Sequence, residues 1–111
     1  MKKDRTYLVH ILECIDRIDL YTQGGQKEFL ADSKTQDAVI RNFEIIGEAT
    51  KRLSESIREN TPEFPWSGVA RFRDVLIHQY EGVDLDEVWR RVEEDVPVLR
   101  KSLTRLLANL E

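Results

Sequence analysis

The sequence predicts an all-α fold, an up-and-down bundle of four main helices. Three observations carry this: apolar residues recur at spacings of three and four, no stretch alternates like a strand, and breakers are scarce. Five glycines and three prolines are spread over 111 residues, which leaves long intervals free to be helical. That length fits a single domain, residues 1–111, with a modest core.

Residues 4–23 form the first predicted helix. Leu8, Ile11, Ile15 and Ile18 make its stripe, widened by Tyr7, Leu12 and Cys14. Gly24 and Gly25 end it, because glycine supplies the left-handed turn that closes a helix. Residues 26–31 read as one or two further turns. Asp32, Ser33 and Thr35 then offer cap oxygens for a second main helix. Its stripe runs through Val39, Phe43, Ile46, Ala49, Leu53 and Ile57, and Ile40 and Ile45 imply that a second face is covered too. Gly47 interrupts it at a cost of about 1 kcal/mol relative to alanine. Such a glycine marks the close approach of another helix, here expected from a second protomer.

Pro62 and Pro65 break the chain next, and the second suits the first turn of a helix. Residues 66–79 make the third main helix. Glu81, Gly82, Val83 and Asp84 break it, with Asp84 placed to cap the fourth. The fourth covers 85–110 on two seven-residue series: Leu85, Val92, Leu99, Leu106 and Trp89, Val96, Leu103, Leu110. The phase holds across Pro97, so this helix is expected to be kinked there or split into two nearly collinear pieces.

Composition narrows the function. A formal net charge of −4 argues against a general nucleic-acid coat. The cations nonetheless cluster, at Arg41, at Lys51 with Arg52, and at Arg71 with Arg73. No apolar run is long enough to span a membrane, and the first residues lack a signal core, so no membrane association and a cytoplasmic location are expected. Cys14 is alone, which fits a reducing compartment and a small buried apolar role. His10 and His78 are the two histidines and lie far apart, so no metal site and no cofactor are expected. A glycine-rich phosphate loop is absent.

The chemistry concentrates in residues 71–80, Arg-Phe-Arg-Asp-Val-Leu-Ile-His-Gln-Tyr. Val75, Leu76 and Ile77 anchor this segment while Arg73, Asp74, His78 and Tyr80 equip it. Histidine exchanges protons near neutrality. Asp74, one turn earlier, is placed to orient the imidazole. Arg73 carries a permanent charge on a planar fork suited to phosphate. Attack of an RNA 2′-hydroxyl on its own adjacent phosphate needs such a base and such a cation. Five residues separate Arg73 from His78, roughly 140° around a helix, so one helix makes half a site. A two-fold dimer would bring two halves together. The same residues also fit a plainer reading, with Asp74 and His78 as a helix-surface pair, Arg71 and Arg73 on a solvated face, and Tyr80 at the core edge.

Arg73-Asp74-x-x-x-His78-x-Tyr80 resembles the signature of the HEPN superfamily, with the histidine-x-tyrosine ending of HepT-like toxins. The resemblance extends to Arg41 through Ala49, to Pro65-Trp66, to Gly82-Val83-Asp84 and to Val88-Trp89, covering about residues 38–100. It implies a dimeric, metal-independent endoribonuclease toxin of a type VII-like toxin–antitoxin module. Arg73 and His78 would be the catalytic pair and Asp74 the orienting residue, where the family more often has asparagine. Arg71 and Arg41 are candidate RNA phosphate contacts. The resemblance also implies a nucleotidyltransferase antitoxin of the MntA type that silences the toxin by adding AMP to Tyr80. The competing reading is a catalytically silent helical dimer that binds nucleotides or such a nucleotidyltransferase.

Overall fold

Six helices and no strand make up the described residues of the computed structural model, which are 2–62, 64, 66–79 and 82–110. They are α1 (Lys2–Tyr21), α2 (Gly25–Ala31), α3 (Ser33–Lys51), α4 (Glu55–Asn60), α5 (Trp66–His78) and α6 (Leu85–Asn109). The expected all-α class holds, and the four long helices are the four expected ones. α3 packs against both α1 and α5, while α6 packs against α1 and α2. The stripes meet in one core: Leu8, Ile11, Ile15 and Ile18 of α1, Val39 and Ile46 of α3, and Val88, Val96 and Leu103 of α6 are all sealed from solvent. Each such side chain stabilises by about 1.5–3 kcal/mol on burial.

The caps follow the sequence. The Asp32 carboxylate accepts from Lys34 N at 3.1 Å and from the Thr35 hydroxyl at 2.8 Å at the start of α3. Asp84 accepts from Glu87 N at 3.2 Å at the start of α6. Gly25 takes φ +88°, a left-handed turn that glycine adopts without a steric penalty. α6 runs through Pro97 as one helix rather than two pieces. Pro97 faces solvent beside the exposed Glu93 and Glu94, where water can reach the freed carbonyl.

Two expectations are corrected. The second main helix does not continue through Ile57; it stops at Lys51, and Ile57 belongs to the separate α4. Three polar groups favour the break. Ser54 caps α4, accepting from Ile57 N at 3.5 Å. The buried Asp4 carboxylate takes the Ser54 N–H and O–H, at 2.9 and 2.7 Å. Arg58 donates back to the carbonyls of Thr50 and Lys51 at 2.9 and 3.0 Å, satisfying the open end of α3. Leu53 and Ile57 stay buried, so the stripe survives although the helix does not. The second correction concerns Gly47: the helix that approaches it is α5 of the same chain. A Cβ there would overlap Arg73 Cβ, come to 2.8 Å from Arg73 Cγ and to 3.3 Å from the Val69 carbonyl oxygen.

Candidate active site

α5 is set in place from its first residue. Trp66 is buried, and its indole N–H donates to the Thr61 hydroxyl at 2.7 Å; that hydroxyl donates in turn to the Ile57 carbonyl at 3.1 Å. Leu76 is buried further along, and the Phe72 ring meets Phe43 of α3 edge-on at 5.5 Å. With Gly47 admitting its backbone, α5 lies close against α3. Arg73 therefore leaves α5 directly over the polar side of α3.

A chain of charges results. Arg73 Nη2 stands 3.2 Å from Glu48 Oε2, and Nη1 stands 3.1 Å from Asp74 Oδ1. Lys51 Nζ reaches the same Asp74 oxygen at 2.6 Å. Glu48 Oε1 pairs with Arg52 at 3.2 Å, so one carboxylate bridges two guanidinium groups. Lys51 first, and Arg73 second, hold the Asp74 carboxyl below the usual carboxylate range. The Tyr7 hydroxyl and then Glu48 push the Arg52 guanidinium above its ordinary value. Arg73 is thus oriented by two carboxylates.

His78 ends α5 and is exposed. Its Nδ1 lies 2.7 Å from the Asp74 main-chain oxygen. A carbonyl accepts only, so Nδ1 carries the proton in this contact and the neutral ring keeps its lone pair on Nε2. The orienting contact expected from the Asp74 carboxylate is made by the Asp74 carbonyl instead, because the carboxylate is engaged by Lys51 and Arg73.

The structure gathers some of the sequence-derived residues and separates others. Arg73 and Arg41 line one cleft of about 250 Å³ between α1, α3 and α5. His78 is outside that lining. Arg71 faces a different groove of about 180 Å³, shared with Phe72, Gln79 and Arg91. Tyr80 lies outside the described residues, as do Pro65 and Glu81. Glu48 belongs to no catalytic motif of its own, and in the sequence Tyr7 reads as a stripe residue and His10 as a lone imidazole. One signal was available: Arg41, Glu44, Glu48, Lys51 and Arg52 recur at threes and fours, a polar stripe beside the apolar one. Among the described residues, no three His, Cys, Asp or Glu side chains group as a metal site. Among them, too, no helix is long and apolar enough to cross a membrane.

A family model described as "Ribonuclease HepT-like" matches residues 11–106. A Thermococcus cleftensis protein named "Probable ribonuclease HepT" is 43% identical over 106 residues, covering 95% of this chain and 96% of its own length. Methanocaldococcus jannaschii has a protein named "Gamma-glutamylcyclotransferase and putative RNase MJ0434", 42% identical over 113 residues. That match covers 100% of this chain and 51% of the relative, so the chain spans about half of that protein's length. "Putative RNase MJ0127" from the same organism is 44% identical over 112 residues, with 99% of this chain and 93% of its own covered. No solved structure matches the chain.

Proposed function

Because this chain belongs to the HepT-like ribonuclease family, we propose that it is a metal-independent endoribonuclease whose cleft is completed by a second copy of itself. The observation that carries the reading is the pair of fixed groups on α5. Arg73 is held over α3 by Glu48, and His78 is held by the Asp74 carbonyl with Nε2 left for a substrate.

In this mechanism Nε2 of His78 takes the proton of an RNA 2′-hydroxyl, and the oxygen attacks the adjacent phosphorus. Arg73 donates to the phosphate oxygens as their charge rises. The bond to the 5′-oxygen breaks, that oxygen takes a proton, and the products are a 2′,3′-cyclic phosphate and a 5′-hydroxyl. One imidazole serves well as base; a second, protonated one from another copy serves as acid. The two-fold homodimer supplies it. Val75 is 40% exposed on α5, an apolar side chain that a second α5 can cover.

The biological role in this reading is the toxin of a type VII-like module, acting on RNA in the cytoplasm. Its antitoxin is a nucleotidyltransferase of the MntA type that moves AMP from ATP to the Tyr80 phenol and releases pyrophosphate. Tyr80 follows His78 by two residues, so an added phosphate would compete for Arg73 and crowd the imidazole.

Purified protein incubated with RNA in excess EDTA tests the core claim. Wild type should cleave and leave cyclic phosphate ends, and His78→Ala should not. Equal survival of the RNA in both sinks the reading and leaves the silent binding dimer. Co-expression with an MntA-type nucleotidyltransferase should add mass in multiples of AMP, and Tyr80→Phe should abolish it.

A further inference from the structure

The catalytic reading uses Arg73 and His78 and leaves most of the Arg73 cleft without a role. α1 closes that cleft with Tyr7 and His10, while α3 supplies Arg41, Glu44 and Glu48, and Arg52 follows just past its end. Its apolar part is Ile45, Ala49 and Ile77. This composition is unlike a bare anion site. Two carboxylates would repel free phosphate, yet three arginines leave the lining with an excess of positive charge. The combination suits a ligand that is anionic at one end and a flat, hydrogen-bond-donating heterocycle at the other.

We infer that this cleft is the subsite for one nucleotide of single-stranded RNA, the neighbour of the phosphate held at Arg73. The inference rests on the ribonuclease reading and extends it to α1. The cleft's volume of about 250 Å³ is below the roughly 300–1,000 Å³ of sites for drug-sized ligands, so it takes one nucleoside unit rather than two. Tyr7 and His10 offer ring surfaces beside an apolar floor, the surroundings in which unstacked RNA bases are bound. Glu48 is taken up by Arg52 and Arg73, and Glu44 accepts hydrogen bonds only, so Glu44 selects bases presenting N–H or amino donors. Arg41 sits at the rim, its side chain 71% exposed and 3.7 Å from Glu44, placed to turn to the next phosphate. Arg73 links the two functions, since it both lines this cleft and faces the scissile phosphate.

Binding and cleavage test this separately. In the full-length protein, NMR titration with each of the four nucleoside 5′-monophosphates should shift His10 and Tyr7 ring signals saturably, with one base favoured. Inorganic phosphate at the same concentration should leave those rings unmoved. Equal shifts with phosphate, or nucleotide shifts confined to residues away from the cleft, overturn the inference. On RNA, the exposed substitutions His10→Ala and Arg41→Ala should each raise KM about tenfold while kcat stays within about twofold, a loss of binding shared by ground and transition states. Lys101→Ala on α6 is the surface control. An unchanged KM in both cleft variants overturns the subsite while leaving the nuclease intact. Conversely, saturable nucleotide binding in a protein that cleaves no RNA would retain the nucleotide site and discard the ribonuclease.

Discussion

Glu48 and Arg73 form an ion pair from α3 to α5, 3.2 Å from Oε2 to Nη2, beside the glycine that lets the two helices approach. The same carboxylate holds Arg52 through its other oxygen. In the proposed mechanism Glu48 is a positioning residue that acts through Arg73 and would compete with substrate phosphate for that guanidinium. Glu48→Gln keeps the size and removes the charge. Its kcat should fall about tenfold, the effect of losing one charge-assisted hydrogen bond of about 1.4 kcal/mol. Its KM for RNA should fall as well, because phosphate no longer displaces an anion. Steady-state cleavage separates the two; a higher KM with unchanged kcat would contradict the positioning role.

Asp74 places a second negative charge next to Arg73. Lys51, then Arg73, depress its pKa, so the folded carboxylate keeps its charge below the pH at which an unfolded-chain aspartate protonates. The sign follows: its contribution is fully present above the unfolded value and is lost as pH falls through the folded one. Carboxyl chemical shifts followed by NMR should show Asp74 titrating below the ordinary aspartate range. Lys51→Ala should move it back up. Asp74→Asn should tighten RNA binding by about two- to fivefold, since an exposed charge of the phosphate's own sign is removed. Fluorescence anisotropy with a 2′-deoxy oligonucleotide, which lacks the attacking hydroxyl, measures this.

Gly47 is the position where helix propensity and tertiary packing disagree. Alanine favours the isolated helix by about 1 kcal/mol, yet its methyl would meet Arg73 Cβ, which sits on the α5 backbone and cannot swing away. Gly47→Ala should therefore destabilise by about 1–3 kcal/mol, the usual cost of overpacking. Cleavage should drop with it, because α5 moves off Glu48. Urea melts beside kcat measurements check both, and a stabilised Gly47→Ala would show that the two helices do not meet there.

The long helices were legible because each buries a continuous stripe, and period alone reports that. Ile18, Ile46 and Leu103 were readable as core for this reason. The break before Ile57 was not. Ala49, Leu53 and Ile57 keep helical spacing across it, and the groups that stabilise the break include Asp4, fifty residues from Ser54. No local pattern encodes that partner. The candidate site divides the same way. Arg73 and His78 stand on one helix within one motif, whereas Glu48, Tyr7 and His10 join Arg73 only through packing of α1 and α5 on α3. Gly47 signalled a close approach, and only the fold identifies α5 of the same chain as the helix that makes it.

Thr61 tests whether the entry to α5 controls the site at its far end. Its hydroxyl is fully buried and takes the Trp66 indole N–H at 2.7 Å while donating to Ile57. Thr61→Val is nearly isosteric and leaves the indole donor unsatisfied in an apolar setting, which costs about 1–3 kcal/mol. Thr61→Ser keeps the hydroxyl and should recover most of the loss. Arg73 lies two turns beyond Trp66 on the same helix, so a shifted Trp66 tilts α5 relative to α3 and loosens the pair with Glu48. The valine variant should lower the melting temperature and kcat together, with the serine variant near wild type in kcat. If Thr61→Val melts lower but cleaves at the wild-type rate, α5 is held by Gly47 and Phe72 alone, and the tryptophan contributes stability without alignment.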